Sequence, residues 1–117
     1  MNVQRLAHAI TIAENSPPEW NNPGSLTGAD ADGYPTCGFG NKEGVWKFVN
    51  KADGEAALER KCARMFLGKS KVYPITWTLA QVGMTYSDGD PNWAENVARE
   101  LGVPVTTTLA ELAALPA

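Results

Sequence analysis

Pro17 and Pro18 stand directly behind a helical pattern, and they divide the chain. From Asn2 to about Asn15 the apolar residues Val3, Leu6, Ala7, Ile10 and Ala13 recur at helical spacing, with Ala9 and Ile12 widening the face. A proline within a helix removes a backbone donor and clashes with the turn before it, and the residue preceding a proline is driven to extended geometry. The first helix is therefore expected to begin at an Asn2 cap and to end by Asn15, with Glu14 in its last turn. A carboxylate there meets the negative end of the helix dipole, which favours its protonated form. Lys or Arg is the usual occupant of such a position, so Glu14 stands out as a candidate general acid.

Residues 15–44 are rich in Gly, Pro, Asn and Asp, including Asn22-Pro23-Gly24, Gly28, Asp30, Asp32-Gly33, Tyr34-Pro35 and Gly38-Phe39-Gly40. Pro23-Gly24 suits a type II turn in which Gly24 takes the positive φ. So long a stretch without regular structure points to function in a compact domain, and short β segments would reconcile it with a fold. Val45-Trp46-Lys47-Phe48-Val49 alternates as one strand.

Four further helices are legible. Asp53 is the expected cap of the second, with Glu55 in its first turn and Ala57, Leu58, Cys62, Met65 and Phe66 on its apolar face, and Gly68 stops it. Thr78 opens the third, through about Tyr86. Asn92 is expected to cap the fourth, which runs to Leu101 and is ended by Gly102 and Pro104. Thr108 caps a short last helix, Leu109 to Leu115. No internal repeat, low-complexity stretch or linker is read. The pattern predicts one α+β domain over residues 1–117, mainly helical, with a short β-hairpin or irregular insert after the first helix.

The net charge of −3 and the absence of a visible basic patch argue against nucleic acid as a partner. No apolar run reaches membrane-spanning length, and no signal peptide is visible. Work outside the cytoplasm would therefore depend on lysis, a virion or a secretion device. Cys37 and Cys62 are either one bridge or two buried thiols, with the thiols favoured. His8 is the only histidine, so neither a Ser-His-Asp set nor a histidine metal pair is at hand. No metal or organic cofactor is implied, and no phosphate-loop motif occurs.

Acid catalysis at a glycosidic oxygen requires a carboxyl group still protonated at working pH, and partial burial beside an aromatic ring provides one. Glu14 fits that requirement, with Trp20 as the expected apolar wall; the plainer reading is a solvated helix-end charge. Asp30 and Asp32 are the candidates for a second carboxylate, against the simpler reading of both as turn residues. Glu19 and Glu43 are weaker options. Without a second carboxylate, a lytic mechanism remains in which the substrate's own hydroxyl attacks. Asn21 and Asn22 either bind sugar hydroxyls and N-acetyl groups or build the turn. One or two of Trp20, Trp46, Trp77 and Trp93 would stack on sugars, with Trp46 and Trp93 expected in the core. Tyr86 either offers its hydroxyl to a cleft or packs.

These residues also form a familiar order. Ala9-Ile10 through Ala13-Glu14, then Asn21-Asn22-Pro23-Gly24-Ser25-Leu26, Val45-Trp46-Lys47-Phe48 and Asp53-Gly54-Glu55-Ala56-Ala57-Leu58 resemble a group of phage and bacterial proteins described as phage virion structural or lysozyme-like, and akin to lytic transglycosylases. Trp93 to Ala98 and Leu101-Gly102-Val103 match its closing helix, and Leu79 with Tyr86 fits the helix before that. The resemblance covers residues 8 to 105. It implies a lysozyme-like fold that degrades or binds peptidoglycan, with Glu14 in the catalytic-acid position and the Asn-Pro-Gly turn on the opposite wall. Ser25 stands where the group usually has Asn, and residues 29 to 40 have no counterpart in its pattern, so no second catalytic group carries over.

The expectation is a muramidase or lytic transglycosylase that cleaves β-1,4 linkages of peptidoglycan. Glu14 would be catalytic, with Asp30 or Asp32 as partner, and Trp20, Asn21, Asn22, Ser25 and Tyr86 would bind substrate. Such a protein would be monomeric, take a polysaccharide as its partner, and act outside the cell or on a virion, waiting in the cytoplasm until lysis. The alternatives are a non-catalytic glycan-binding or virion structural module of the same fold, and a hydrolase of another β-1,4 glucan or a chitin-like polymer.

Overall fold

The computed structural model describes residues 1–117. It is mainly helical, with five α-helices and one two-stranded antiparallel hairpin. Asn2 accepts the Arg5 N–H and begins α1 (Val3–Glu14). Leu6, Ala7, Ala9 and Ile10 are its buried stripe. The helix ends as Asn15 turns left-handed at φ 46°, its N–H reaching back to the Thr11 carbonyl, and Pro17 and Pro18 then carry the chain into a short 3-10 turn, Pro18–Trp20.

The irregular region is sewn together by side-chain amides. A second 3-10 turn, Gly28–Ala31, precedes β1 (Thr36–Phe39), which pairs with β2 (Trp46–Phe48) across an irregular register. The Asn41 carbonyl closes the hairpin by accepting from the Glu43 and Val45 N–H groups. Gly24 does not take a positive φ, contrary to the type II expectation. Glycine is needed there for space: a Cβ would lie 2.7 Å from Leu58 Cδ1 and 3.1 Å from the Tyr86 hydroxyl. The left-handed residue is Ser25 instead, at φ 52°.

α2 (Lys51–Phe66) is capped by Asn50, three residues before the expected Asp53, because the Asn50 side chain accepts the Asp53 N–H. Gly68 closes it as expected, with Lys69 N–H bonded to the Arg64 carbonyl. α3 spans Leu79–Tyr86 and α4 spans Pro91–Leu101. The cap of α4 is Asp90 rather than Asn92, since Pro91 fills the first helical position and Asp90 accepts the Asn92 N–H. α5 is Leu109–Ala114.

The core forms where α1 packs on α4 and α2, α3 packs on α4, and α5 packs on α2. Leu6, Ile10, Leu58, Met65, Leu79, Val82, Val97, Leu109 and Leu112 are fully buried there. Both cysteines are free thiols. Cys37 is exposed on the hairpin rather than buried, while Cys62 lies in the core, where burial pushes its thiol to about 12. Trp93 is in the core as expected, but Trp46 is only half-buried and stacks on the exposed Phe39 ring at 4.4 Å. No helix is long and apolar enough to cross a membrane.

An internal repeat is present after all. Pro74-Ile75-Thr76-Trp77-Thr78-Leu79-Ala80-Gln81 is echoed by Pro104-Val105-Thr106-Thr107-Thr108-Leu109-Ala110-Glu111. Each copy starts a helix with a complete capping box, Thr78 with Gln81 and Thr108 with Glu111. The copies also cap each other. Leu79 and Ala80 donate to the Thr107 and Val105 carbonyls at 2.9 and 3.0 Å, and Leu109 and Ala110 donate to the Trp77 and Ile75 carbonyls, both at 2.9 Å. Thr78 and Thr108 pair as an isolated antiparallel bridge. The backbone amides that open α3 and α5 are thereby satisfied reciprocally.

Candidate active site

Glu14 is half-buried in the last turn of α1. Burial is the main reason its pKa is raised, and the nearby Asp90 carboxylate adds to the rise. The Ser25 hydroxyl, the Trp93 indole and the Lys61 ammonium act in the opposite sense and favour the anion. The Trp93 N–H is buried without a hydrogen-bond partner, so it faces the carboxyl short of full hydrogen-bond geometry.

Ser25 is brought to Glu14 by the turn that precedes it. Its N–H closes the turn on the Asn22 carbonyl at 3.2 Å, and its hydroxyl lies 2.5 Å from that of Ser16. A non-glycine residue at positive φ is strained, and here the strain falls on a residue beside the acid.

Asn21 and Asn22 occupy other positions than those expected of sugar ligands. Asn22 is 2 % exposed. Its amide donates to the Leu26 and Trp46 carbonyls at 3.0 and 2.8 Å, and its carbonyl accepts the Leu26 N–H at 2.9 Å, so both amide hydrogens are spent and burial keeps the residue from a sugar. Asn21 donates to the Phe48 carbonyl at 3.1 Å, and its own carbonyl presses on Gly54 of α2. Together the two asparagines clamp the turn to β2 and α2.

Tyr86 likewise holds the turn rather than offering its hydroxyl to a cleft. That hydroxyl donates to the Gly24 carbonyl at 2.7 Å, and burial raises its pKa well above the ordinary value. The ring stacks between Trp93 at 4.8 Å and Tyr73 at 6.1 Å. Trp20 packs on Gly40 of the hairpin, and Trp93 takes the place beside Glu14 that was expected of Trp20.

The aspartates divide. Asp30 binds the Lys61 ammonium at 2.8 Å, and Lys61 in turn sits 4.4 Å over the Tyr86 ring. Asp30 is not among the charges that shift Glu14, although both carboxyl groups act on Tyr73 and Tyr86. Asp32 is exposed, and its backbone carbonyl accepts from Arg60 at 2.6 Å. Asp30 and Asp32 both line a cavity of about 740 Å³ with Tyr73 and Lys61. This cavity corrects the expectation that no basic patch exists, for Arg60, Lys61, Arg64, Lys69 and Lys71 also line it. No three of the His, Cys, Asp and Glu side chains converge as metal ligands.

No family model, curated protein or solved structure matches this chain. The site rests on its own geometry.

Lys61, Trp93 and Asp90 were not foreseen at this site. One signal was available for Lys61, which occupies the helical stripe of Gly54, Ala57, Leu58 and Met65 where an apolar residue is the rule. For Trp93 and Asp90 no local pattern marks proximity to Glu14. They arrive through the packing of α4 on α1.

Proposed function

We propose that this chain cleaves β-1,4 linkages of peptidoglycan with Glu14 as its single acid and base, acting at the cell wall or from a virion. One observation carries the reading. Glu14 is a half-buried carboxyl with a raised pKa, and the aspartates around it are already committed, Asp90 to capping α4 and Asp30 to Lys61. A raised pKa keeps a carboxyl protonated nearer to neutral pH, which is what a general acid needs. The helix-end Glu followed by an Asn-Asn-Pro-Gly turn, the order that resembles lysozyme-like proteins, supports the same reading.

In this mechanism Glu14 gives its proton to the glycosidic oxygen as the bond to the anomeric carbon breaks. The Trp93 N–H and the Lys61 ammonium then steady the carboxylate that is left. The 6-hydroxyl of the same sugar closes on the anomeric carbon and returns its proton to Glu14. One bond breaks and one forms, the acid is restored, and neither water nor a second carboxylate enters.

Product analysis on purified peptidoglycan tests this. Wild type should release fragments ending in anhydro sugars, and Glu14→Gln should be slower by about 10²-fold or more. New reducing ends instead would mean hydrolysis. A wild type that binds the wall but releases nothing would leave a glycan-binding or virion structural module.

A further inference from the structure

The cavity lined by Lys61 and Tyr73 gathers five of the ten cationic side chains of a protein whose net charge is −3. Arg60 is occupied: it donates to the Asp30 and Asp32 carbonyls and lies 4.8 Å over the Tyr34 ring. Lys61 is paired with Asp30. Arg64, Lys69 and Lys71 form no ion pair with any carboxylate of the chain. Lys69 and Lys71 follow the C-terminal end of α2, where a cation meets the helix dipole favourably, but that effect fades within a turn and does not call for three cations around one concavity. Asp30 and Asp32 also line the cavity, so five cations face two carboxylates and a local excess of three positive charges is left, which favours an anion.

Glu14 does not line the cavity, but two lining residues tie it there: the Lys61 charge acts on Glu14, and the Glu14 charge acts on Tyr73. Its volume, about 740 Å³, suits a short peptide rather than a lone ion. The glycan strand of peptidoglycan offers such a surface little charge. The short peptides attached to its muramic acid residues carry side-chain and C-terminal carboxylates.

We propose that this cavity binds the carboxylates of the peptide stem, with Arg64, Lys69 and Lys71 as the anion-binding residues, so that the protein selects peptide-bearing glycan over bare glycan. This rests on the reading of Glu14 as the cleaving acid, which places the sugar strand next to the cavity. Exposed charges bind anions weakly one at a time, so the selection depends on several of them acting together.

Calorimetry with the Glu14→Gln protein, which keeps the ligand intact, tests the proposal. Three probes are used: a peptidoglycan tetrasaccharide with free stem carboxylates, the same compound with those carboxylates amidated, and a glycerol phosphate oligomer as competitor. The free-carboxylate form should bind about tenfold tighter than the amidated one at low salt. The added changes Arg64→Ala, Lys69→Ala and Lys71→Ala should bring that ratio to about one while leaving affinity for the amidated form unchanged. All three side chains are exposed, so the fold should survive their removal. Equal binding of both tetrasaccharides, or a ratio that persists in the triple variant, overturns the proposal while the reading of Glu14 stands. Binding of neither tetrasaccharide overturns both. Strong competition by glycerol phosphate with indifference to amidation would make the cavity a phosphate site and also overturn it.

Discussion

Lys61 binds Asp30 at 2.8 Å while its charge also reaches Glu14, so one ammonium is shared between a carboxylate it pairs with and a carboxyl it helps to ionise. If Glu14 is the general acid, this sharing would set the working pH. A general acid is active while protonated, so activity falls as pH rises through its pKa. Lys61→Met removes a charge that lowers the Glu14 pKa and should move the alkaline limb of the kcat profile upward. Asp30→Asn leaves Lys61 unneutralised and should move it downward. Two shifts of the same sign would sink this coupling.

Burying Glu14 has a cost in stability that its replacement exposes. The folded chain holds the Glu14 proton more tightly than the unfolded chain does. The penalty is absent below the ordinary carboxylate range and grows as pH rises from that range through the raised folded pKa. Glu14→Gln has nothing to ionise. Urea denaturation at a series of pH values should therefore find the variant at least as stable as wild type at neutral pH, with wild type regaining ground as pH falls. The reverse trend would contradict burial as the main cause of the shift.

Asn22→Ala should act on stability before it acts on binding. It orphans the Leu26 N–H and removes a donor from two carbonyls at a buried site, a loss of about 2–4 kcal/mol. Thermal unfolding measures it. If the variant unfolds like wild type but loses affinity for glycan, the amide is a sugar ligand after all.

Gly54→Ala should be among the most damaging single-methyl changes in the chain. The added Cβ would lie 1.7 Å from the Asn21 carbonyl oxygen, which is backbone and cannot step aside alone. A cost of about 3 kcal/mol or more is expected, read as a lower urea midpoint. The displacement would carry the turn, and Ser25 with it, away from Glu14, so activity should fall further than stability alone accounts for.

The elements of this fold were legible because each announces itself locally: the proline pair after α1, the threonine caps of α3 and α5, and Gly68 and Gly102 after α2 and α4. Caps were misplaced where two candidates stood close together. Asn50 and Asp53 compete at α2, and Asp90 and Asn92 at α4, and in both the earlier residue is used. Glu14 and Ser25 could be paired from sequence because a short turn links them. Lys61 and Trp93 could not, since they reach the site from helices far along the chain. The basic cavity was missed although its five cations fall between Arg60 and Lys71, because an acidic total masked a local excess.

The reciprocal closure of α3 and α5 has a consequence for how the protein comes into being. α3 emerges from the ribosome well before Val105 and Thr107, the carbonyls that complete its first turn. Until those residues follow, its Leu79 and Ala80 amides have only water. α3 packs on α4, which packs on the helix bearing Glu14. A nascent chain halted at Pro104 should thus be open to protease across α3 and inert toward its substrate, and extension through Ala110 should close both together. Folding of the acid's surroundings would then be timed by a segment that never touches them.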